Sequence, residues 1–173
     1  MTAVPPERKT GVESQDSTPV LPSGSPLRVV LDTNVLVSLY VFADSRFAPL
    51  RARIESGAWL AITNDACFNE FRRVLAYPIF DLSGEQQQGA LDAYSASATH
   101  RDGLPQAASV DLPRCSDRDD QKFLELARDS SADWLVTADK ALLRLARRDR
   151  LRGLFRILSP DVALTDETAR IGR

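Results

Sequence analysis

The amino-acid sequence predicts an α/β domain built on a mostly parallel central sheet. Three observations carry this. "LRVVLD", "WLAIT" and "DWLVT" are short continuous apolar runs, the pattern of strands buried on both faces rather than on one. Each is followed by a stretch with helical spacing of its apolar residues, so strand and helix alternate. The 173 residues, 43% of them apolar, suit one domain with a sizeable core.

The elements follow in order. Residues 1–26 hold prolines at 5, 6, 19, 22 and 26 with Ser14, Ser17, Ser23 and Ser25, and are expected to form a disordered N-terminal extension. The folded domain is expected over 27–160, with 161–173 as a C-terminal tail. The first strand is "LRVVLD", and "NVLVSLYVF" continues as a helix. A second helix runs from Arg46 to Ser56, with Leu50 and Ile54 four apart, and Gly57 stops it. After "WLAIT" comes a helix over "NDACFNEFRRVLAY", with Asn64 placed to cap it and Pro78 just beyond. The polar, Gln-rich middle predicts a helix around 84–97 and then a loop to 106. "ASVD" is a candidate short strand, and "SDRDDQKFLELARDS" a helix with Ser116 as its cap and Asp119 three residues later. "DWLVT", a helix over "DKALLRLARRDRL" and a last strand at "RILS" complete the pattern.

Composition removes several function classes. Lys and Arg number 22 against 24 Asp and Glu, so the net charge of −2 gives no bulk attraction to nucleic acid or acidic membrane. Cys67 and Cys115 are too few for a disulfide framework, and His100 alone cannot complete a zinc site with them. No run approaches the roughly 18 apolar residues of a membrane span. The segment after Arg8 and Lys9 lacks the apolar core of a secretory signal, so a reducing cytoplasm is the expected location.

Four carboxylates stand out. In parallel α/β sheets, ligands collect outside the carboxyl ends of the strands. Asp32 ends the first strand, and Asp139 follows "DWLVT" by one residue. At about 100° per residue, Asp120 shares a face with Phe123, Leu124 and Ala127, and Glu70 shares one with Ala66, Cys67, Val74 and Tyr77. An acid on an apolar stripe breaks the binary pattern, and such breaks mark functional sites. Taken singly, each has a plainer use: Asp32 and Asp139 as helix caps, Glu70 as a cap or surface charge. Asp117 is a supporting residue one turn before Asp120, and Asp119 reads as a capping partner.

If the four meet, two like charges about 5 Å apart repel by roughly 3 kcal/mol at an effective dielectric near 20. Oxygen-only donors suit a hard divalent cation, Mg²⁺ or Mn²⁺, which also accepts phosphate oxygens. Thr137 and Asn34 are candidates to fix the carboxylates by hydrogen bonds, or are simply turn residues. Lys140, Arg144, Arg147, Arg148, Arg150, Arg152 and Arg156 form the densest basic run, beginning beside Asp139, and backbone phosphates are its natural partner. A solvated helix face is the alternative for each.

"LDTNVLVS", "NEFRRVL" followed by "YPIF", "CSDRDDQKFLELA" and "ADWLVTADKALL" occur in order across residues 28–143. In this combination the chain closely resembles the PIN-domain ribonucleases, and within them the toxin components of bacterial toxin–antitoxin systems. Carried over by motif, the family's four acids fall on Asp32, Glu70, Asp120 and Asp139. The resemblance implies a three-layer α/β/α fold that hydrolyses phosphodiester bonds in single-stranded RNA with Mg²⁺ or Mn²⁺. It implies Asp32, Asp120 and Asp139 as metal ligands, with Glu70 as a further ligand or as the residue orienting the water. It also implies an antitoxin protein and a second copy of the chain as partners.

Rival readings lack residues they need. A haloacid-dehalogenase-like phosphatase requires an Asp where Asn34 stands, and a receiver domain requires an acidic pair near the first strand. A serine hydrolase has only His100, in polar "SATHRDG", to serve as base. No Gly-rich phosphate loop is present. The alternative from another class is a non-catalytic RNA-binding or regulatory module of the same fold.

Overall fold

The computed structural model describes residues 25–104, 111–148, 151 and 153–171. Most of the expected N-terminal extension and of the "ASVD" strand lies outside these residues, as do Arg150 and Arg152. Five parallel strands, β1 (Leu27–Leu31), β2 (Trp59–Thr63), β3 (Ala98–His100), β4 (Trp134–Val136) and β5 (Arg156–Leu158), lie in the order β3-β2-β1-β4-β5. Among the described residues seven α-helices surround the sheet: α1 (Thr33–Tyr40), α2 (Ala48–Glu55), α3 (Asp65–Leu75), α4 (Gly84–Ser97), α5 (Gln121–Asp129), α6 (Lys140–Leu145) and α7 (Pro160–Ile171). No helix among the described residues is long and apolar enough to cross a membrane.

The strands alternate between two cores, which is why their sequences are apolar throughout. Val29, Leu31, Trp59, Ala61, Trp134 and Val136 point into one core with α1, α2, α3, α4 and Ala163 of α7. Val30, Ile62, Leu135 and Ile157 point into the other with Phe123, Leu124 and Ala127 of α5 and Leu142 and Leu145 of α6. This is the expected three-layer α/β/α arrangement. Across β1, Trp59 and Trp134 meet edge to face at 5.4 Å, tying the two strands that flank the centre of the sheet.

Local signals set the helix boundaries. The Asn64 side chain accepts from Cys67 N at 3.0 Å and so caps α3. Gly57 has φ +75°, a left-handed turn that ends α2 and returns the chain to β2. Ser83 and Gln86 form a reciprocal capping box at the start of α4.

Four expectations are corrected. His100 ends strand β3 instead of lying in a loop. This three-residue edge strand pairs only with β2, so it needs no continuous apolar run to announce it. Helix α5 begins at Gln121 without a Ser116 cap, because Asp119 N donates to Asp117 Oδ1 at 2.9 Å in a local side-chain turn that displaces the helix start. Helix α6 stops at Leu145, short of the expected end. Finally, the segment taken as a tail forms α7, with Pro160 at its first position, Ala163 fully buried and Arg156 paired to Asp166 at 2.5 Å.

Replacing Trp134 with Ala removes a fully buried ring from the middle of the sheet. The expected loss is about 3–5 kcal/mol of unfolding free energy, read from denaturant melts with an unchanged m-value.

Candidate active site

The order of strands places β1 beside β4, and the chain leaves each of them at the same edge of the sheet. Asp32 and Asp139 therefore stand at neighbouring carboxyl ends, at the point where the strand order reverses direction. Helix α3 brings Glu70 to the same edge, and the turn before α5 brings Asp117 and Asp120. All five acids line one cleft, together with Thr33, Asn34, Val37, Ser38, Phe42, Val74 and Phe80.

Asp32 is the buried centre, only 4% exposed. It holds the N-cap position of α1 yet makes no side-chain capping bond. Instead its Oδ2 accepts from Thr137 Oγ1 at 2.6 Å and from Asn34 Nδ2 at 2.7 Å. The same two side chains reach across to the β4 end: Asp139 N donates to Thr137 Oγ1 at 2.9 Å and Ala138 N to Asn34 Oδ1 at 3.1 Å. Thr137 and Asn34 thus fix the carboxylate and the turn that presents Asp139. Burial, opposed by the Thr137 hydrogen bond, raises the Asp32 pKa above the ordinary aspartate value.

Asp139 caps α6 as the plainer reading expected, its Oδ1 accepting from Ala141 N at 2.7 Å and Leu142 N at 2.9 Å. That cap uses Oδ1 alone and holds the side chain at the cleft. Asp120 occupies the N-cap position of α5 in a helical conformation, φ −80° and ψ −15°. The angular argument for its inward face therefore holds although the helix starts later than expected. Partial burial, then repulsion from Asp32, Asp117, Asp139 and Glu70, pushes its carboxyl up to about 6.

Glu70 is engaged at both oxygens. Thr33 Oγ1 donates to Oε1 at 2.9 Å, and the Lys122 ammonium pairs with Oε2. Arg73 stands within 4.0 Å of Glu70 and within 3.9 Å of Asp119. Lys122 and Arg73 are functional candidates that the sequence reading missed. A helical wheel turns Lys122 away from Asp120, and only its long flexible stem carries the charge round to α3.

Part of the basic run lies elsewhere. Arg147, Arg148 and Arg156 share a surface hollow with Asp133, the residue before β4, at the amino edge of the sheet and opposite the acids. Helix α6 starts at the carboxyl edge and carries the chain away from it, so Lys140 at its head stays beside Asp139 while Arg147, Arg148 and Arg156 lie away from it. Burial pushes the Cys67 thiol up to about 12 and the Cys115 thiol up to about 11, so both stay protonated near neutral pH.

The donor set of the cleft is oxygen alone, which fits a hard divalent cation. Asp32, Asp117, Asp120 and Asp139 are the lining carboxylates that could hold one without breaking the Glu70–Lys122 pair. Among the described residues, three ligand groups within 4.8 Å of one another occur elsewhere, at exposed Asp65, His100 and Asp102. The cleft acids do not form such a close triplet.

The raised Asp120 pKa sets the sign of a pH effect. In the unfolded chain an Asp ionises near 3.9. Between that value and about 6 the folded protein holds a proton that the unfolded chain has lost, so this group's contribution to stability falls as pH rises through that window. Asp120→Asn is accordingly expected to raise the melting temperature in EDTA at pH 7, with the gain vanishing by pH 4. Thermal melts across that range check it.

Comparison with known proteins agrees with this geometry. No curated protein matches the chain. Residues 28–141, which run from β1 through the acidic turn to the start of α6, match the family described as PIN domain, and the chain belongs to that family.

Proposed function

We propose that this protein is a metal-dependent ribonuclease that hydrolyses phosphodiester bonds in single-stranded RNA, acting as the toxin of a toxin–antitoxin pair. The observation that carries the nuclease reading is the set of five acids lining one cleft at the carboxyl edge of a parallel sheet, in a chain of the PIN-domain family. PIN domains are generally nucleases.

Asp32, Asp120 and Asp139 would hold Mg²⁺ or Mn²⁺, which when bound supplies a water of lowered pKa and neutralises charge on the leaving oxygen. Thr137 and Asn34 keep Asp32 aimed through their bonds to Oδ2. Glu70, held between Thr33 and Lys122, is an anionic acceptor placed to orient the attacking water. Lys122 prevents Glu70 from adding an unpaired charge to the cleft. Arg73, 58% exposed at the rim, is free to meet a phosphate by exchanging its long contacts to Glu70 and Asp119.

The test is cleavage of labelled single-stranded RNA by the full chain. Cleavage is expected with Mg²⁺ or Mn²⁺, and loss to background in EDTA and in Asp32→Asn or Asp120→Asn. Thr137→Val is expected to weaken metal binding by about 10–100-fold without unfolding the protein. RNA binding with no cleavage under either metal would instead establish the non-catalytic module. For the toxin role, growth arrest on expression of the wild-type chain and its absence with Asp32→Asn is the expected pair of results. A concentration-independent monomer on sizing would overturn the homodimer.

A further inference from the structure

The acidic cleft has a second, apolar end. Val37 and Ser38 of α1 and Val74 of α3 form its floor, and beyond them stand Phe42 and Phe80. Their rings meet edge to face at 5.8 Å, and Phe42 remains 63% exposed. Asn34 and Ser38 lie one turn apart on α1, and Phe42 follows just past its last residue, Tyr40, so the ring stands a helix length, roughly 12 Å, from Asp32 at the other end. The whole cleft encloses about 490 Å³, within the range of small-molecule sites.

Folding alone does not account for this ring. Burial of Phe42 would stabilise the chain, yet the backbone holds it out: Phe42 N donates to Val37 O at 3.2 Å, and the next residue, Ala43, takes φ +46°. That left-handed conformation is uncommon for a residue with a Cβ. The chain thus accepts a disfavoured turn while presenting an aromatic face beside a charged cleft. Among the described residues lining the cleft none is Lys or Arg, so direct ion pairs with a polyanion fall to Arg73 at its rim and the cleft itself offers none. A ligand suited to both ends carries an anionic group, met through a cation at the acids, and a flat π-face.

We infer that Phe42, braced by Phe80, is a stacking platform for an unpaired nucleobase of the substrate strand, whose phosphate lies at the acidic end. This rests on the nuclease reading above and deepens it, because a base already stacked within a duplex cannot use the platform. Stacking accepts every base, so the site selects single strands rather than a sequence.

The test uses the full chain and a single-stranded hexaribonucleotide carrying 2-aminopurine, titrated in Ca²⁺ with strand integrity checked on gels. Wild type is expected to quench the fluorescence on binding, and the same strand in a duplex is not. Phe42→Ala and Phe42→Leu should bind about tenfold more weakly without the quench, and Phe42→Trp should restore both. Unchanged melting temperatures separate this from misfolding, and Phe42→Leu keeps most of the apolar volume while removing the ring. Unaltered affinity and quench in Phe42→Ala, or no binding by wild type, would overturn the platform. So would Phe42 variants that bind RNA normally but lose self-association on sizing, which would make the groove a protein interface. Phe42-dependent quenching without cleavage in Mg²⁺ or Mn²⁺ sinks the nuclease reading alone, whereas cleavage with a normal Phe42→Ala titration sinks the platform alone.

Discussion

The bond from Thr137 Oγ1 to Asp32 Oδ2 is the constraint on which the site depends. It joins the ends of two adjacent parallel strands, β1 and β4, through side chains rather than through the ladder. Parallel strands are held by evenly spaced backbone bonds that say nothing about where their ends point. Here the Thr137 hydroxyl donates to Asp32 and accepts from Asp139 N, so one oxygen aims one acid and shapes the turn that presents the other. Asn34 repeats the device with an amide, donating to Asp32 and accepting from Ala138 N. A buried carboxylate is tolerable only if it is hydrogen-bonded, and these two residues meet that condition while leaving the acidic edge in place.

The remaining charge is managed unevenly, and the unevenness sorts the acids. Glu70 has its own cation in Lys122 and a hydroxyl from Thr33, so its charge is largely compensated within the protein. Asp120 has no such partner among the described residues, and partial burial followed by repulsion from the neighbouring acids raises its pKa to about 6. Asp120 is thereby left poised to gain or lose a proton or a cation, beside a Glu70 whose charge Lys122 offsets. A site that is strained when empty and relaxed by a divalent cation gives up stability where it needs affinity, the usual trade at functional positions.

Much of this was legible in the sequence because it follows from two periodicities. Continuous apolar runs place strands, strand ends place Asp32 and Asp139, and the helical repeat places Glu70 and Asp120 on inward faces. What was not legible depends on how elements sit on one another. Strand β3 is too short and polar to declare itself. Lys122 reads as one more charge on a polar face until α5 is packed near α3. The basic run reads as part of the site because it adjoins Asp139 in sequence, yet a helix leaving a strand end carries its residues toward the opposite edge. Adjacency in the chain predicts proximity at the first turn of a helix and distance at its last.

That last point bears on how an acidic protein can bind a polyanion. With a net charge of −2, and Arg147, Arg148 and Arg156 on the far edge, none of the described residues lining the cleft is Lys or Arg, and Arg73 stands at its rim. Binding driven by many phosphate contacts falls steeply with salt, because each contact releases counterions. A cleft whose attraction comes from one metal-bridged phosphate and an apolar, aromatic end would be far less sensitive to salt. It would hold a short stretch of strand rather than a long one, and discriminate by whether the bases are free to leave a helix. The same arrangement explains why the acids need no cationic wall of their own. Lys122 compensates Glu70, and under the proposed reading a bound divalent ion would compensate the others, so that a phosphate would meet a centre close to charge balance.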